Sequence, residues 1–392
     1  MVAKKSAAGS PNGVYEKRTE SMVWALESGN HKVVKLLHTA DWQLGLRLNF
    51  VPGEAGARLR AERFSCVERI AALANREQVD AVLVAGDVFD DNGVGPDTIQ
   101  QAREVLAKFE VPVVLLPGNH DPATADSAIS RVADAGPHVH TALTAEPLRF
   151  GALEIWPCPL QSRHQYDDPT GALPAREATN TVRVALAHGG VLEFGETTEA
   201  PNRIDAEAVI AKGFDYLALG DWHGVFRFSE RAWYSGAPEA TRFKEKRPGF
   251  VLIVEIDGPG ALPSVTERSV ARSRWTQETF EFTADEDLTR LQAWFEDLEA
   301  PSRTLADLTF EGVLSLAGRS KLEALLEDYR GRLSLLRDDL TGLGTEPTSS
   351  DLETLRGEGF IAQAFDVLRA GNGPEDAAAL RLMHRLALME GD

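Results

Sequence analysis

Five times between residues 33 and 221 this chain runs through a stretch of apolar residues and stops on a polar one. VVKLLHTA leads into Asp41, AVLVAG into Asp87, VPVVLLPG into Asn119, VRVALA into His188 and YLALG into Asp221. A strand that reads as one continuous apolar run has both faces covered, so runs of this kind separated by helix-length segments indicate a layered α/β sheet. An amphipathic segment from about Ala55 to Asn75, another over about 98–109 and a short one over about 205–212 supply the helices. Ligands of such sheets gather at the carboxyl ends of the strands, which is where every one of these polar residues stands.

After Asp221 the texture turns β-rich, with FRFS, AWYSG and FVLIVEI (250–256) compatible with a second sheet packed on the first. Residues 265–340 alternate strand and helix as a small α+β unit, in which SKLEALLEDYRGRLSLLRDDL (320–340) reads as one helix. TGLGTEPTSS (341–350) reads as a linker and 351–392 as a helical C-terminal region, whereas the polar residues 1–31 read as a flexible tail. The main α/β domain then spans 32–260.

Composition narrows the chemistry. Two cysteines, Cys66 and Cys158, exclude a disulfide framework and thiolate metal sites, so any metal must be held by His, Asp, Asn and their like. The 41 basic against 60 acidic side chains leave a net charge of −19, which discourages non-specific binding of polyanions. It does not exclude a phosphate held by local arginines or metals. The N-terminal residues lack the apolar run of a signal peptide and no stretch is apolar enough to span a bilayer, so the expectation is a cytoplasmic protein with no membrane contact.

The strand ends carry Asp41 with Gln43, Asp87 with Asp90, Asn119 with His120 and Asp121, His188, and Asp221 with His223. One such aspartate could as readily cap a turn, but five strand ends together form a metal-site pattern. Two divalent cations need roughly eight oxygen or imidazole donors, one carboxylate shared between them, and open positions for water and phosphate. GDVFD and GNHD place glycines where the backbone must turn at the sheet edge. His38 reads as a packed, hydrogen-bonded histidine, and Asp90 either orients a ligand or caps its turn. Arg242, Lys244, Lys246 and Arg247 either steer a backbone phosphate or make a solvated loop. Trp42 and Trp222, each between two candidate ligands, either pack above the site or offer a stacking surface. Leucines along 320–340 and in the last helix read as core.

HTADWQLG (38–45), GDVFD (86–90), GNHD (118–121), AHGG (187–190) and GDWHG (220–224) resemble the five ordered signatures of calcineurin-like metallophosphoesterases. The HTADW opening and YSGAPEATRF (234–243) are most similar to the SbcD-type nuclease subunits of DNA-repair complexes. The resemblance covers about 34–257 and is weaker over 265–340, which would be a DNA-capping domain. It implies a two-sheet αββα sandwich in which one metal is held by Asp41, Gln43, Asp87 and His223 and a second by Asp87, Asn119, His188 and Asp221. His120 would then be the non-ligand histidine near the scissile phosphate, and a hydroxide between the metals the nucleophile. Arg242 and Lys244 would contact substrate phosphates, and Asp90 would support a ligand. The family usually has histidine at both 43 and 221, and the oxygen-rich replacement implies Mn²⁺, or Mg²⁺, over softer ions. Implied partners are DNA, an SbcC-like coiled-coil ATPase and a second copy of the chain. A small-molecule or nucleotide phosphoesterase, or a catalytically weakened scaffold subunit, are the competing readings.

Overall fold

The computed structural model describes residues 33–177, 179–192, 200–346, 360–371, 373, 375–376, 378–380 and 382–383. The tail expected over 1–31, and Leu386 and Leu388 of the last helix, lie outside them.

The first sheet has the order β14-β13-β1-β2-β3-β4, with β1 Val34–Thr39, β2 Ala81–Val84, β3 Val113–Leu115, β4 Val139–Thr141, β13 Phe250–Ile256 and β14 Ser264–Ser269. Strands β1 to β4 are mutually parallel, and β13 runs antiparallel to β1 with Leu36 opposite Val254. The second sheet has the order β11-β12-β10-β7-β6-β5. Its members are β5 Leu148–Phe150, β6 Leu153–Cys158, β7 Val182–His188, β10 Tyr216–Gly220, β11 Phe226–Arg227 and β12 Ala232–Tyr234, with β6, β7, β10 and β12 parallel. Gly190–Val191 (β8) and Arg203–Ile204 (β9) form a separate short pair.

The apolar runs have their expected physical cause. Along β1 to β3 alternate residues point to opposite faces. Leu37, Val82, Val84, Val113 and Leu115 pack under helices α1 (Gly53–Glu77) and α2 (Pro96–Leu106), against Val67, Ile70 and Leu106. Leu36, Leu83 and Val114 face the second sheet, against Val184, Leu186, Tyr216 and Ala218. The other face of that sheet, Ala185, Leu217 and Leu219, is covered by Val209 of the short helix α3 (Ala206–Ala211) and by Phe214. Four layers result, helix, sheet, sheet, helix, and each buried aliphatic side chain contributes about 1.5–3 kcal/mol.

The allotment of strands to sheets differs from the sequence expectation. β7 and β10 form the middle of the second sheet instead of extending the first, while FVLIVEI (β13) joins the first sheet beside β1. Residues 264–269, expected to open the small unit, also pair with β13. The small unit's own sheet begins at Arg274, with β15 Arg274–Phe282, β16 Thr304–Leu314 and β17 Leu335–Thr345 all parallel and connected through α4 (Leu288–Glu296) and α5 (Leu316–Arg332). The single helix expected over 320–340 therefore stops at Arg332. Leu333 turns to an extended conformation, and pairing with β16 overrides the helix propensity of the residues that follow. The first residues of the expected linker, 341–345, complete β17. Leu322 and Leu326 of α5 are core, as expected, while Val367 on α6 (Phe360–Ala370) and Leu382 stay exposed. Leu48, Val51 and Leu59 pack on Leu305, joining the start of α1 to the small unit. No helix among the described residues is long and apolar enough to cross a membrane.

His38 is wholly buried on β1, its Nδ1 3.0 Å from the Tyr216 hydroxyl and its Nε2 3.1 Å from the Leu219 carbonyl. Burial depresses its pKa to about 3. A histidine held neutral in the fold contributes stability that is present above its unfolded pKa near 6.5 and lost as pH falls toward 3. Urea titrations of wild type and His38→Gln between those limits should show a steeper acid slope in the wild type, by up to about 1.4 kcal/mol per pH unit. Equal slopes would contradict the assignment.

Candidate metal centre

All five polar strand ends meet at one edge of the sandwich. The first sheet brings Asp41, Gln43, Asp87, Asn119 and His120 past the ends of β1, β2 and β3, and the second brings His188, Asp221 and His223 from β7 and β10. The backbone is bent sharply to do so. Asp41, Gln43, Asp87 and Asp221 have φ of 54°, 43°, 52° and 99°, half of the eight non-glycine residues with positive φ among the described residues. Such conformations cost about 1–3 kcal/mol each and concentrate at functional sites. Two glycines make the approach possible. Gly86 has φ of 90°, and a Cβ there would lie 2.2 Å from the His188 ring; a Cβ on Gly118 would lie 2.1 Å from Asp87 Oδ1.

Donor atoms of Asp41, Asp87 and His188 all lie within 4.8 Å of one another. His188 Nδ1 is 2.8 Å from the Ala85 carbonyl, which keeps a proton there, so Nε2 is the nitrogen that faces the site and would give up its proton to a metal. That Nε2 is 2.8 Å from Asn119 Oδ1, 3.4 Å from Asp87 Oδ1 and 3.8 Å from Asp221 Oδ1. Two ligands of one ion, each roughly 2.1 Å from it, lie roughly 3 Å apart. An imidazole nitrogen surrounded by three oxygens at these separations is the arrangement a cation completes on replacing the Nε2 proton, so the four residues fit one divalent ion.

The second group is looser. His223 Nε2 is 3.9 Å from Asp41 Oδ1 and 3.4 Å from the Gln43 amide nitrogen. As oriented, that amide donates to the imidazole; rotated by half a turn it presents its oxygen to the same place. With that rotation Asp41, Gln43 and His223 would offer donors to a second ion, through oxygen more than nitrogen, with a donor atom of Asp87 within 4.8 Å of that of Asp41.

The electrostatics agree. Burial pushes the Asp41 carboxyl up to about 6 against the opposing pull of His223 and His188. Burial alone lowers the basicity of His188, yet Asp87, Asp41 and Asp221 together raise it to about 9. A buried site this rich in negative charge stabilises whatever cation enters it.

The residues around these donors decide their aim. His120 accepts no role in either group; its backbone N–H donates to Asp87 Oδ1 at 2.9 Å and its Nδ1 sits 2.8 Å from the Asp90 carbonyl. The Asp90 carboxylate is 4.0 Å from the ring, so its backbone, and not the side chain singled out in the sequence, orients His120. Trp42 is 1% exposed, bonded to Thr39 and stacked on Phe109, whereas Trp222 is 55% exposed. Arg242 and Lys244 are exposed on the loop after β12, and Arg242 lies 3.6 Å from Glu245.

Three supporting residues had no role assigned from sequence, and of them only Asp121 stood among the polar strand-end residues. Asp121 is fully buried and accepts the Gly118 and Phe89 N–H groups, tying two ligand loops together, while burial and the charge of Asp87 hold its carboxyl up to about 7. Arg63 reaches from α1 to the carbonyls of Trp42 and Gln43. Glu245, hidden among the basic residues of its loop, bonds His223 Nδ1 at 2.5 Å and so turns Nε2 toward the site. The pair is mutual: despite burial, Glu245 raises the His223 pKa and His223 lowers that of Glu245. Glu245→Gln should cost about 10- to 100-fold in Mn²⁺ affinity by isothermal titration, because a ligand histidine loses the partner that fixes its proton. Unchanged affinity would remove His223 from the ligand set.

Residues 34–255 match the calcineurin-like phosphoesterase family. Among solved structures, an archaeal phosphodiesterase is similar over 60% of this chain and 100% of its own, at 12% identity and a TM-score of 0.32. Another crystal structure is similar over 61% of this chain and 100% of its own, at 11% identity and a TM-score of 0.39. The family match takes in more than half of the sequence and every donor and supporting residue described above, and by it the chain belongs to the calcineurin-like phosphoesterase family.

Proposed function

We propose that this chain is a metal-dependent nuclease that hydrolyses phosphodiester bonds at DNA ends, the activity of the SbcD-type proteins it resembles. Family membership supports metal-dependent phosphoester hydrolysis. The observation that carries the narrower reading is that the centre opens on two sides. One cleft of about 320 Å³ lies beside Asp221, His223, Lys244 and Lys246, and another of about 420 Å³ beside Gln43, Arg47, Phe50 and His120; Arg242 lines both. A polymer crossing the donors has room before and after the scissile phosphate, which a small phosphate ester does not need. A third cavity, about 360 Å³, separates the Arg242 loop from Trp275 and Trp294 of the small unit, which supports a capping role for that unit.

Two divalent cations held by Asp41, Gln43, Asp87 and His223 and by Asp87, Asn119, His188 and Asp221 would supply positive charge to the phosphoryl oxygens and acidify the attacking water. The chain's own residues do the rest. Asp87 is shared between the two groups and holds the His120 backbone, so histidine and donors keep one geometry. With Nδ1 against the Asp90 carbonyl, a protonated His120 presents Nε2–H to the site. As the bond from water to phosphorus forms and the ester P–O bond breaks, that proton passes to the leaving oxygen. Arg242, exposed and lining both clefts, is the side chain that would pair with a non-bridging oxygen of the substrate. Carboxylate and amide donors favour Mn²⁺ or Mg²⁺. An SbcC-like ATPase and a second copy of the chain are the protein partners of the same reading.

The test is nucleotide release from end-labelled single- and double-stranded DNA with Mn²⁺, beside metal analysis of the purified protein. His120→Ala should lower kcat by about 10²- to 10⁴-fold with metal still bound, and Asn119→Ala should lose metal. Hydrolysis of bis(p-nitrophenyl) phosphate without any DNA turnover would make it a small-molecule phosphoesterase; absence of bound metal and of all turnover would make it a scaffold. Tightly held stoichiometric zinc would contradict the metal preference.

A further inference from the structure

Trp42 and Trp222 occupy matching places, each one residue beyond an aspartate at a strand end, yet only Trp42 is taken up by the core. Trp222 leans on Phe226, ring centres 6.4 Å apart, and Phe226, 44% exposed, leans on Tyr234 at 6.3 Å. Tyr234 is anchored: its hydroxyl donates to the Gly189 carbonyl at 2.7 Å and accepts the Val191 N–H at 2.9 Å. The indole is therefore backed by a fixed support and exposed beside the metal centre. Trp222 and Phe226 together leave a contiguous aromatic surface in water beside the centre, the kind of patch that marks an interaction site.

The charge around it is opposite to that of the chain. Arg242, Lys244 and Lys246 line the same cleft, are exposed and outnumber its carboxylates, Asp221 and Glu245, in a protein of net charge −19. Lys244 and Lys246 form no ion pair among the described residues, and the acid nearest Arg242, Glu245, is already bonded to His223. An aromatic platform rimmed by exposed cations is how proteins hold single-stranded nucleic acid, bases on the rings and phosphates on the cations.

We propose that Trp222 is the stacking platform for the nucleobase next to the scissile phosphodiester, with Lys244 and Lys246 meeting the phosphates beyond it. The subsite rests on the DNA-nuclease reading and adds a preference to it. A base can lie on the indole only when it is out of its own helix, so the site takes an unpaired strand end over a paired one.

Binding of end-labelled short oligonucleotides, with Ca²⁺ in place of Mn²⁺, tests this. One set carries all its bases, a second lacks the terminal base at one end or the other, and a third is fully paired. Wild type should bind one of the abasic oligonucleotides, and the paired one, roughly 5- to 150-fold more weakly than the intact single strand. Trp222→Ala should bind intact and abasic strands alike, at the weaker level, while Trp222→Phe should keep most of the difference. If wild type digests DNA but does not distinguish the abasic strands, or if Trp222→Ala distinguishes them as wild type does, the platform is refuted and the nuclease stands. If wild type neither binds nor digests DNA yet hydrolyses bis(p-nitrophenyl) phosphate, the nuclease reading fails and the platform with it.

Discussion

Asp87→Asn is expected to leave a folded protein without metal-dependent turnover. On the proposed reading Asp87 is the carboxylate that both donor groups share: its Oδ1 lies 3.4 Å from His188 Nε2, and its donor atom lies within 4.8 Å of those of Asp41 and His188. Asparagine keeps the size and an oxygen for the His120 N–H, so the local backbone has no cause to move. What goes is the charge that two cations would share, and with it several kcal/mol of stabilisation of the developing phosphoryl charge, roughly a thousandfold or more in kcat. In the metal-free protein the effects oppose: the attraction to His188 is lost, while repulsion of Asp121 and Asp41 is relieved. The thermal midpoint without metal should therefore move by only a few degrees, whereas the rise on adding Mn²⁺ should shrink; a hundredfold loss of affinity removes about 2.7 kcal/mol of ligand-linked stability. Activity within tenfold of wild type would show that Asp87 is not the shared ligand.

Why Asp87 could be singled out from sequence, and Arg63 could not, is a matter of where each finds its partners. A strand covered on both faces leaves no polar residue until it reaches the sheet edge, so AVLVAG followed by Asp87 announces its own position. The same logic located Asp41, Asn119, His188 and Asp221. It could not say which sheet each strand enters, because β7, β10 and β13 carry the same kind of apolar run and differ only in what they pair with. Nor could it separate Trp42 from Trp222, whose neighbours in sequence are alike and whose surroundings in space are a helical layer for one and an open cleft for the other. Glu245 was masked by the charges beside it; its partner His223 lies 22 residues earlier. In β17 helix propensity spoke against a strand that only the pairing with β16 makes favourable.

Arg63→Met is expected to destabilise the protein by about 3–5 kcal/mol, although methionine is an apolar side chain placed in an apolar helix face. Arg63 is 3% exposed and its bonding partners are carbonyl oxygens: Nε and Nη2 reach the Trp42 carbonyl at 3.0 and 2.6 Å, Nε reaches that of Gln43 at 3.3 Å, and Nη1 reaches those of Glu239 and Ala240 at 3.3 and 3.4 Å. The guanidinium's fork of donors suits this task and no other side chain has it. Burial pulls its pKa down and the charge of Glu239 draws it back, so the cation is retained by the loops it holds. Without it several buried carbonyls are left unpaired, each at a cost of about 1–3 kcal/mol. The loops it releases are those that keep Asp41 and Gln43 at positive φ, and a strained backbone persists only while its surroundings enforce it. Metal affinity should consequently fall together with stability, and Arg63→Lys, able to reach one or two of the carbonyls, should fall between. Asp87→Asn separates the two quantities, losing metal while keeping the fold, and Arg63→Met should lose both in proportion. A variant as stable as wild type in chemical denaturation, or one destabilised with its Mn²⁺ affinity intact, would show that the strained ligand loop stands without this clamp.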